Sequence, residues 1–250
     1  MDDRSTEGKT ALVTGASKGL GRAIAIRLAE LGARVAVNYN SSQDAAAEVV
    51  AAIEGMGGEA FSVRADVSKV DEVKAMVVEV EETYGPAGIL VNNAGIISDQ
   101  LLMRMSDEAW HRVIDINLHG TFYCTRAVLR NMVRSRWGRI INIGSVVGER
   151  GNPGQTNYTA SKAAMIGFTK ALSKEVATRS ITVNIINPGY VETETTAVLT
   201  DQQRDHWLSV IPQGHFGDAD DIAHMVAFLA QERAKYITGQ VICVDGGMAV

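Results

Sequence analysis

Tyr158 and Lys162 stand four residues apart in TNYTASKAA, a segment of helical character, so they share one helix face. An unperturbed phenol titrates near about 10 and is a poor acid or base at neutral pH. A neighbouring ammonium stabilises the phenolate and lowers that value. Such a pair can give a proton to a carbonyl oxygen as hydride arrives, or remove one in reverse. Ser145 follows an apolar, strand-like run, and its hydroxyl is suited to hold and orient that oxygen. Asn117 lies within helix-patterned sequence, where asparagine is mildly unfavourable, and this points to a local task. Each also has an ordinary reading: an exposed helix pair for Tyr158 and Lys162, a strand-end cap for Ser145.

A hydride donor requires a second constellation. TGASKGLG, residues 14–21, follows the apolar run Ala11, Leu12, Val13 and precedes an alanine- and leucine-rich segment. Gly15, Gly19 and Gly21 fall where a strand hands over to a helix. Glycine permits positive φ and close backbone approach, and the helix start presents unpaired N–H groups to an anion. The spacing G-x-x-x-G-x-G differs from the usual dinucleotide fingerprint. Beyond the second strand-like run come Tyr39, Asn40 and Ser41. The acidic residue that holds a ribose 2′-hydroxyl in NAD-selective sites is missing there. A 2′-phosphate would meet hydroxyls and amides, with Lys18 reaching from the glycine turn, which favours NADP. Asp66 and Val67 end the third run, where an aspartate suits an adenine amino group or, more ordinarily, a turn. Asn93, Ala94 and Gly95 are small residues after the fourth run and leave room for a ribose.

Strand-like runs at 9–14, 34–39, 60–65, 89–92, 139–143, 182–186 and 240–244 position these residues. They alternate with helical segments at 21–31, 42–55, 69–84, 107–132, 157–178 and 220–231. The runs are apolar on both sides of the pleat, as strands buried on both faces are. Alternation predicts an α/β fold: a doubly wound, Rossmann-type parallel sheet of about seven strands covered by helices on both faces. Ligands then bind beyond the carboxyl ends of the strands. Ser68, with Asp71 and Glu72 behind it, reads as an N-cap. With no internal linker or repeat, the expectation is one domain over residues 1–250, with a substrate lid at about 190–218.

The 250 residues are 46% hydrophobic and 21% charged, the balance of a globular protein with a full core. A net charge of −5 argues against general nucleic-acid binding. No run approaches the roughly 20 apolar residues that span a bilayer, and MDDRSTEGK does not read as a signal peptide. Cys124 and Cys243 form no CxxC pair. They are expected to be reduced core thiols of a cytoplasmic protein, with no metal site. Arg126, Arg130 and Arg134 recur every fourth residue and make a basic stripe on one helix. A local basic patch on an acidic protein can steer an acidic partner.

TGASKGLG at 14–21, NNAG at 92–95, Asn117, Ser145, YTASK at 158–162, NPG at 187–189 and DGG at 245–247 together resemble the short-chain dehydrogenase/reductase family. The resemblance covers nearly the whole chain. It implies Asn117, Ser145, Tyr158 and Lys162 as the catalytic set. Asn117 would hold a proton-relay water, and Lys162 would also bind the nicotinamide ribose. Ser17, Leu20, Pro188, Gly189, Val191 and Thr193 would join the cofactor site, and Gln155 would join Ser145 and Tyr158 around the substrate. LLMRMSDEAW at 101–110 and YITGQVICVDGGM at 236–248 sharpen the resemblance within the family. They imply NADPH-dependent reduction of a β-ketoacyl thioester on acyl carrier protein, docking at Arg130 and Lys174, and a homotetramer. Reduction of acetoacetyl-CoA or another small ketone or alcohol is the alternative, and a non-catalytic NADP-binding regulator a remote one. Two departures stand out: Ser180 where relatives carry a helix-ending glycine, and His215 where many have arginine.

Overall fold

The computed structural model describes residues 5–192 and 200–249. Seven parallel strands form one sheet: β1 (Thr10–Val13), β2 (Arg34–Tyr39), β3 (Glu59–Arg64), β4 (Ala87–Asn92), β5 (Gly138–Ile143), β6 (Ile181–Pro188) and β7 (Val241–Val244). Their spatial order is β3-β2-β1-β4-β5-β6-β7, so the winding reverses between β1 and β4. β1, β5 and β6 are buried along their whole length, as their continuous apolar patterns require. All seven expected strands are present, with ends shifted by at most two residues.

One face of the sheet is covered by α1 (Gly19–Glu30), α2 (Gln43–Gly55) and α9 (Ala219–Ala230), packed on Val13, Val35, Val37, Ile89 and Ile141. The other carries α3 (Val70–Tyr84), α5 (Gly120–Ser135) and α7 (Thr156–Val176), packed on Leu12, Ala36, Leu90, Ile140 and Val183. Alternate residues of each strand thus enter separate cores. The remaining helices, α4 (Asp107–Ile114), the short α6 (Val147–Arg150) and α8 (Asp201–Val210), flank the carboxyl edge. No described helix is long and apolar enough to cross a membrane.

Two sequence expectations about helices are corrected. The helix expected over 107–132 is three pieces: α4, a π-helical turn at Asp115–His119, and α5. The wider turn carries Asn117, described below, and is followed by Gly120, where a Cβ would sit 2.7 Å from Val67 Cγ2. Ser68 does not cap α3; Lys69 holds the N-cap position, and the Ser68 hydroxyl donates to Asp66 Oδ1 at 2.7 Å. α8 went unforeseen, although Thr200 and Gln203 form a complete capping box readable as T-x-x-Q. Cys124 is buried as expected, but Cys243 is exposed on the edge strand β7. Its thiol lies 3.6 Å from Glu149 Oε1, and partial desolvation of the sulfur together with that carboxylate pushes it up to about 11.

Polar groups hold the interior in register. Asn92 and Asn142 face each other across β4 and β5. Asn92 Nδ2 donates to Asn142 Oδ1 at 2.8 Å and to Thr125 Oγ1 at 3.0 Å, and Asn142 Nδ2 donates to Thr169 Oγ1 at 2.8 Å. This network ties α5 and α7 to the sheet. At the opposite edge the buried Arg139 guanidinium donates to Glu232 Oε2 at 2.8 Å and lies 4.7 Å from the Trp137 ring centroid. Lys9 lies 4.2 Å from the same centroid.

Ser180 ends the turn before β6 in the left-handed region, at φ 57° and ψ 30°. Its bonds there are backbone ones, from its N–H to Ala177 O and from Arg139 to its own carbonyl. A Cβ is disfavoured in this conformation and glycine is not. Ser180→Gly is expected to raise stability by about 0.5–1 kcal/mol, read as a higher midpoint in urea with an unchanged slope.

Candidate active site

Where β1 and β4 part at the carboxyl edge, side chains take over the role of ladder bonds. Thr14 Oγ1 accepts the N–H groups of Asn93 and Ala94, both at 3.0 Å. Asn93 Nδ2 returns bonds to the carbonyls of Thr14 (2.9 Å) and Gly15 (3.0 Å). The Gly15 N–H donates to Asn38 Oδ1 at 3.1 Å. The glycines serve this closeness: a Cβ on Gly15 would lie 2.9 Å from Ala94 Cα, and one on Gly21 would lie 2.3 Å from Gly15 O. They let two turns touch each other, whereas the sequence suggested approach to a ligand. Gly19 takes φ +54° and starts α1, whose N-cap Lys18 makes no side-chain capping bond. The first-turn N–H groups of Gly19, Leu20 and Gly21, with Ser17 beside them, therefore suit a pyrophosphate.

Beyond β2, Tyr39 is buried while Asn40 and Ser41 are exposed. Arg64, paired with Tyr39 across β2 and β3, donates through Nε to Asn40 O at 3.2 Å. An exposed guanidinium thus stands beside the expected 2′-phosphate position. Sequence reading missed it because only strand register brings position 64 to position 40. Asp66 makes a turn: its Oδ1 accepts the Ser68 N–H at 2.9 Å. Pro188 and Gly189 are fastened by Val146 N–H to Pro188 O (3.1 Å) and Gly189 N–H to Val244 O (3.0 Å). Val191 bridges to Gly217. Thr193 lies outside the described residues. A Cβ on Gly189 would lie 2.8 Å from Asp245, so this glycine too serves a close approach of two turns, and the ligand-facing feature of the edge is the start of α1.

The four expected catalytic residues converge on this edge. Ser145 follows β5, its Oγ accepts the Val147 N–H at 3.2 Å, and its hydroxyl acts on the Tyr158 phenol. Lys162 is buried, 5.5 Å from the Tyr158 ring centroid, and donates to Ile143 O at 2.7 Å. Asn117 is fully buried. It bonds the backbone of Ile96 at both ends of its amide, Oδ1 from N–H at 2.8 Å and Nδ2 to O at 3.1 Å, and donates to Ser161 Oγ at 3.1 Å. A Cβ on Gly95 would lie 3.2 Å from Asn117 Oδ1 and 3.7 Å from Lys162 Nζ, so both side chains meet at that glycine.

The electrostatic balance differs from the sequence expectation of a lowered phenol. Burial pushes Tyr158 up to about 12, opposed by the Ser145 hydrogen bond and reinforced by the charge of Asp99. Burial also brings Lys162 down to about 8. Gln155 is buried with its amide engaged at both ends: Nε2 donates to Asp99 Oδ1 at 2.9 Å and Oε1 accepts from Asn152 at 3.0 Å. Asp99 was not anticipated, since no local pattern marks it.

Opposite the pair, Tyr190 stacks on Trp207 of α8 with centroids 4.2 Å apart, and on Phe216 at 5.8 Å. Val146, Ile211 and Met248 complete this apolar cluster. Positions 193–199 of the expected lid lie outside the described residues. His215 makes a local bond to Phe216 O. Arg130 and Lys174 are exposed on α5 and α7. Lys174 lines an open cleft of about 380 Å³ with Lys170, Ser173 and Thr238.

Lys162 provides a pH test of the burial. Its folded pKa lies near 8, below the ordinary 10.5. Between those values the unfolded chain binds more protons, so stability rises with pH. Against Lys162→Met, which keeps Tyr158, the wild type should gain up to about 3 kcal/mol from pH 7.5 to 10.5 in denaturant titrations.

Residues 15–249 match the family model described as Enoyl-(Acyl carrier protein) reductase. The chain is 53% identical over 240 residues to a 3-oxoacyl-[acyl-carrier-protein] reductase FabG of Staphylococcus epidermidis, covering 96% of this chain and 98% of that one. It is 52% identical to the protein of that name in Staphylococcus aureus, with the same coverage. It is 48% identical to that of Haemophilus influenzae, over 97% and 98% of the two chains. With the reversed strand order, the helix-start cradle and the Ser145, Tyr158, Lys162 and Asn117 cluster, these matches make the chain a member of the short-chain dehydrogenase/reductase family of nicotinamide-dependent oxidoreductases.

Proposed function

We propose that the protein reduces the β-carbonyl of a β-ketoacyl thioester on acyl carrier protein, using NADPH. The convergence of Ser145, Tyr158 and Lys162 at one sheet edge carries this reading. The names of relatives at about half identity over nearly the whole chain supply the substrate class.

NADPH, when bound, supplies the hydride that reaches the β-carbon. Ser145 holds the carbonyl oxygen through its hydroxyl proton. Tyr158, kept neutral by burial, gives its phenolic proton to that oxygen as negative charge builds there. Lys162 binds the nicotinamide ribose and, with Asn117, returns a proton to Tyr158. Arg64, Lys18, Asn40 and Ser41 receive the 2′-phosphate. The remaining turn residues hold the pyrophosphate, adenine and carboxamide: Gly15, Ser17, Gly19, Leu20, Gly21, Tyr39, Asp66, Val67, Asn93, Ala94, Gly95, Pro188, Gly189, Val191 and Thr193. Gln155 borders the substrate, and Arg130 and Lys174 dock the acidic carrier. A single domain, a homotetramer and a cytoplasmic location belong to the same reading.

The test is NADPH oxidation with acetoacetyl-carrier protein, beside acetoacetyl-CoA, crotonyl-carrier protein and an NADH control. Fast turnover of the acetoacetyl carrier alone supports the reading. Preference for the CoA thioester would move the substrate to the alternative, and turnover of the crotonyl carrier would make the protein an enoyl reductase. Tyr158→Phe should lower kcat about 10³-fold with NADPH affinity retained, measured by cofactor fluorescence. Arg64→Gln should weaken NADPH binding about tenfold and leave NADH binding unchanged, read as dissociation constants.

A further inference from the structure

The segment after Gly95 runs along the start of α7. Gln100 N–H donates to Gly154 O at 2.8 Å, and Asn157 Nδ2 donates to Ser98 O at 3.1 Å. Between these anchors Asp99 is exposed, yet its carboxylate is fixed by Gln155 Nε2 at 2.9 Å, with Asn152 behind Gln155. A surface carboxylate usually turns freely in water; here a buried amide holds one at the rim of the catalytic edge. Its negative charge raises both the Tyr158 and the Tyr190 phenols. Asp99 is the one described carboxylate that acts on both. The Lys162 amine is buried and bonded to Ile143 O. Tyr190, stacked on Trp207, presents the facing wall.

A β-ketoacyl thioester is uncharged beside its reacting carbonyl. The free β-keto acid left by hydrolysis of that thioester carries a carboxylate two bonds from the β-carbon. We infer that Asp99 is a specificity-determining residue: its carboxylate, held by Gln155 at the mouth of the site, selects β-keto substrates that are neutral next to the carbonyl and repels free β-keto acids. This rests on the carbonyl reduction proposed above. Two like charges several ångströms apart at a partly solvated rim discriminate by about five- to tenfold at low salt, and less as salt screens them.

Dead-end complexes test this without turnover. Acetoacetate and its ethyl ester are titrated calorimetrically into the enzyme loaded with NADP⁺, for wild type, Asp99→Asn and Asp99→Glu. The asparagine keeps an oxygen to accept from Gln155 and removes only the charge. The wild type should bind the ester in preference to the acid. Asp99→Asn should shift the ratio of the two dissociation constants about five- to tenfold toward the acid, and Asp99→Glu should hold it near the wild-type value. The wild-type ratio should narrow between 20 and 500 mM salt, whereas the Asp99→Asn ratio should not. A ratio unmoved by Asp99→Asn, shifted equally by both variants, or indifferent to salt would overturn the inference. Failure of the wild type to reduce any β-ketoacyl thioester would overturn the function reading instead, a result separate from the binding ratio.

Discussion

The carboxyl edge of an all-parallel sheet imposes one requirement on everything above it. Strands that diverge leave backbone N–H and C=O groups without ladder partners, and such groups cannot stay unpaired where water is scarce. Here β1 and β4 separate at the reversal of strand order, and Thr14, Asn38 and Asn93 meet the demand. Their bonds hold the glycine turn against the Asn93–Ala94 turn, and that contact fixes where α1 begins. The position of that helix start is therefore a consequence of how the edge satisfies its own backbone. Asn117 repeats the solution one turn further on, pairing with both backbone groups of Ile96. The inward reach of that amide accompanies the π turn between α4 and α5, a local irregularity of a kind often found at functional sites.

Placing an acid and an amine inside this edge is costly. Burial disfavours the charged form of each, so the Tyr158 phenol is driven up and the Lys162 amine down. In the reduction proposed above, a phenol that stays protonated across the neutral range is an advantage, because it would give a proton away. The same displacement hinders the reverse direction, which begins from the phenolate. The Ser145 hydroxyl is the counterweight: its hydrogen bond pulls the phenol back down. Asp99 acts in the opposite sense from the rim. Ser145 and Asp99 thus pull the Tyr158 phenol in opposite directions.

The apolar wall opposite Tyr158 depends on a different device. Tyr190 extends from the end of β6, and α8 brings Trp207 onto it. The Thr200 and Gln203 capping box starts α8 squarely, so the aromatic stack rests on a helix of defined beginning. Phe216 joins beside the isolated parallel bridge between Val191 and Gly217, which lies outside the seven strands.

Much of this was legible in the chain. Continuous apolar runs of four to eight residues gave the buried strands, and their alternation with helical segments gave the parallel sheet, because burial on both faces leaves no other pattern. Helical spacing, a local property, put Tyr158 and Lys162 on one face, and their company with the glycine turn and Ser145 gave that pair its meaning. Ser180 in a left-handed turn was foreseeable from the missing glycine alone. What depended on register or on long-range contact was not legible. Arg64 meets Asn40 only because β2 and β3 pair as they do. Gln155 meets Asp99 across more than fifty positions of chain, so neither residue signals the other. The direction of the Tyr158 shift likewise came from how deeply the fold buries the phenol, which spacing along a helix cannot express. The sequence by itself determined which groups were available and on which elements they rode. The tertiary structure decided which of them share a dielectric and a hydrogen bond, because those depend on distance through space.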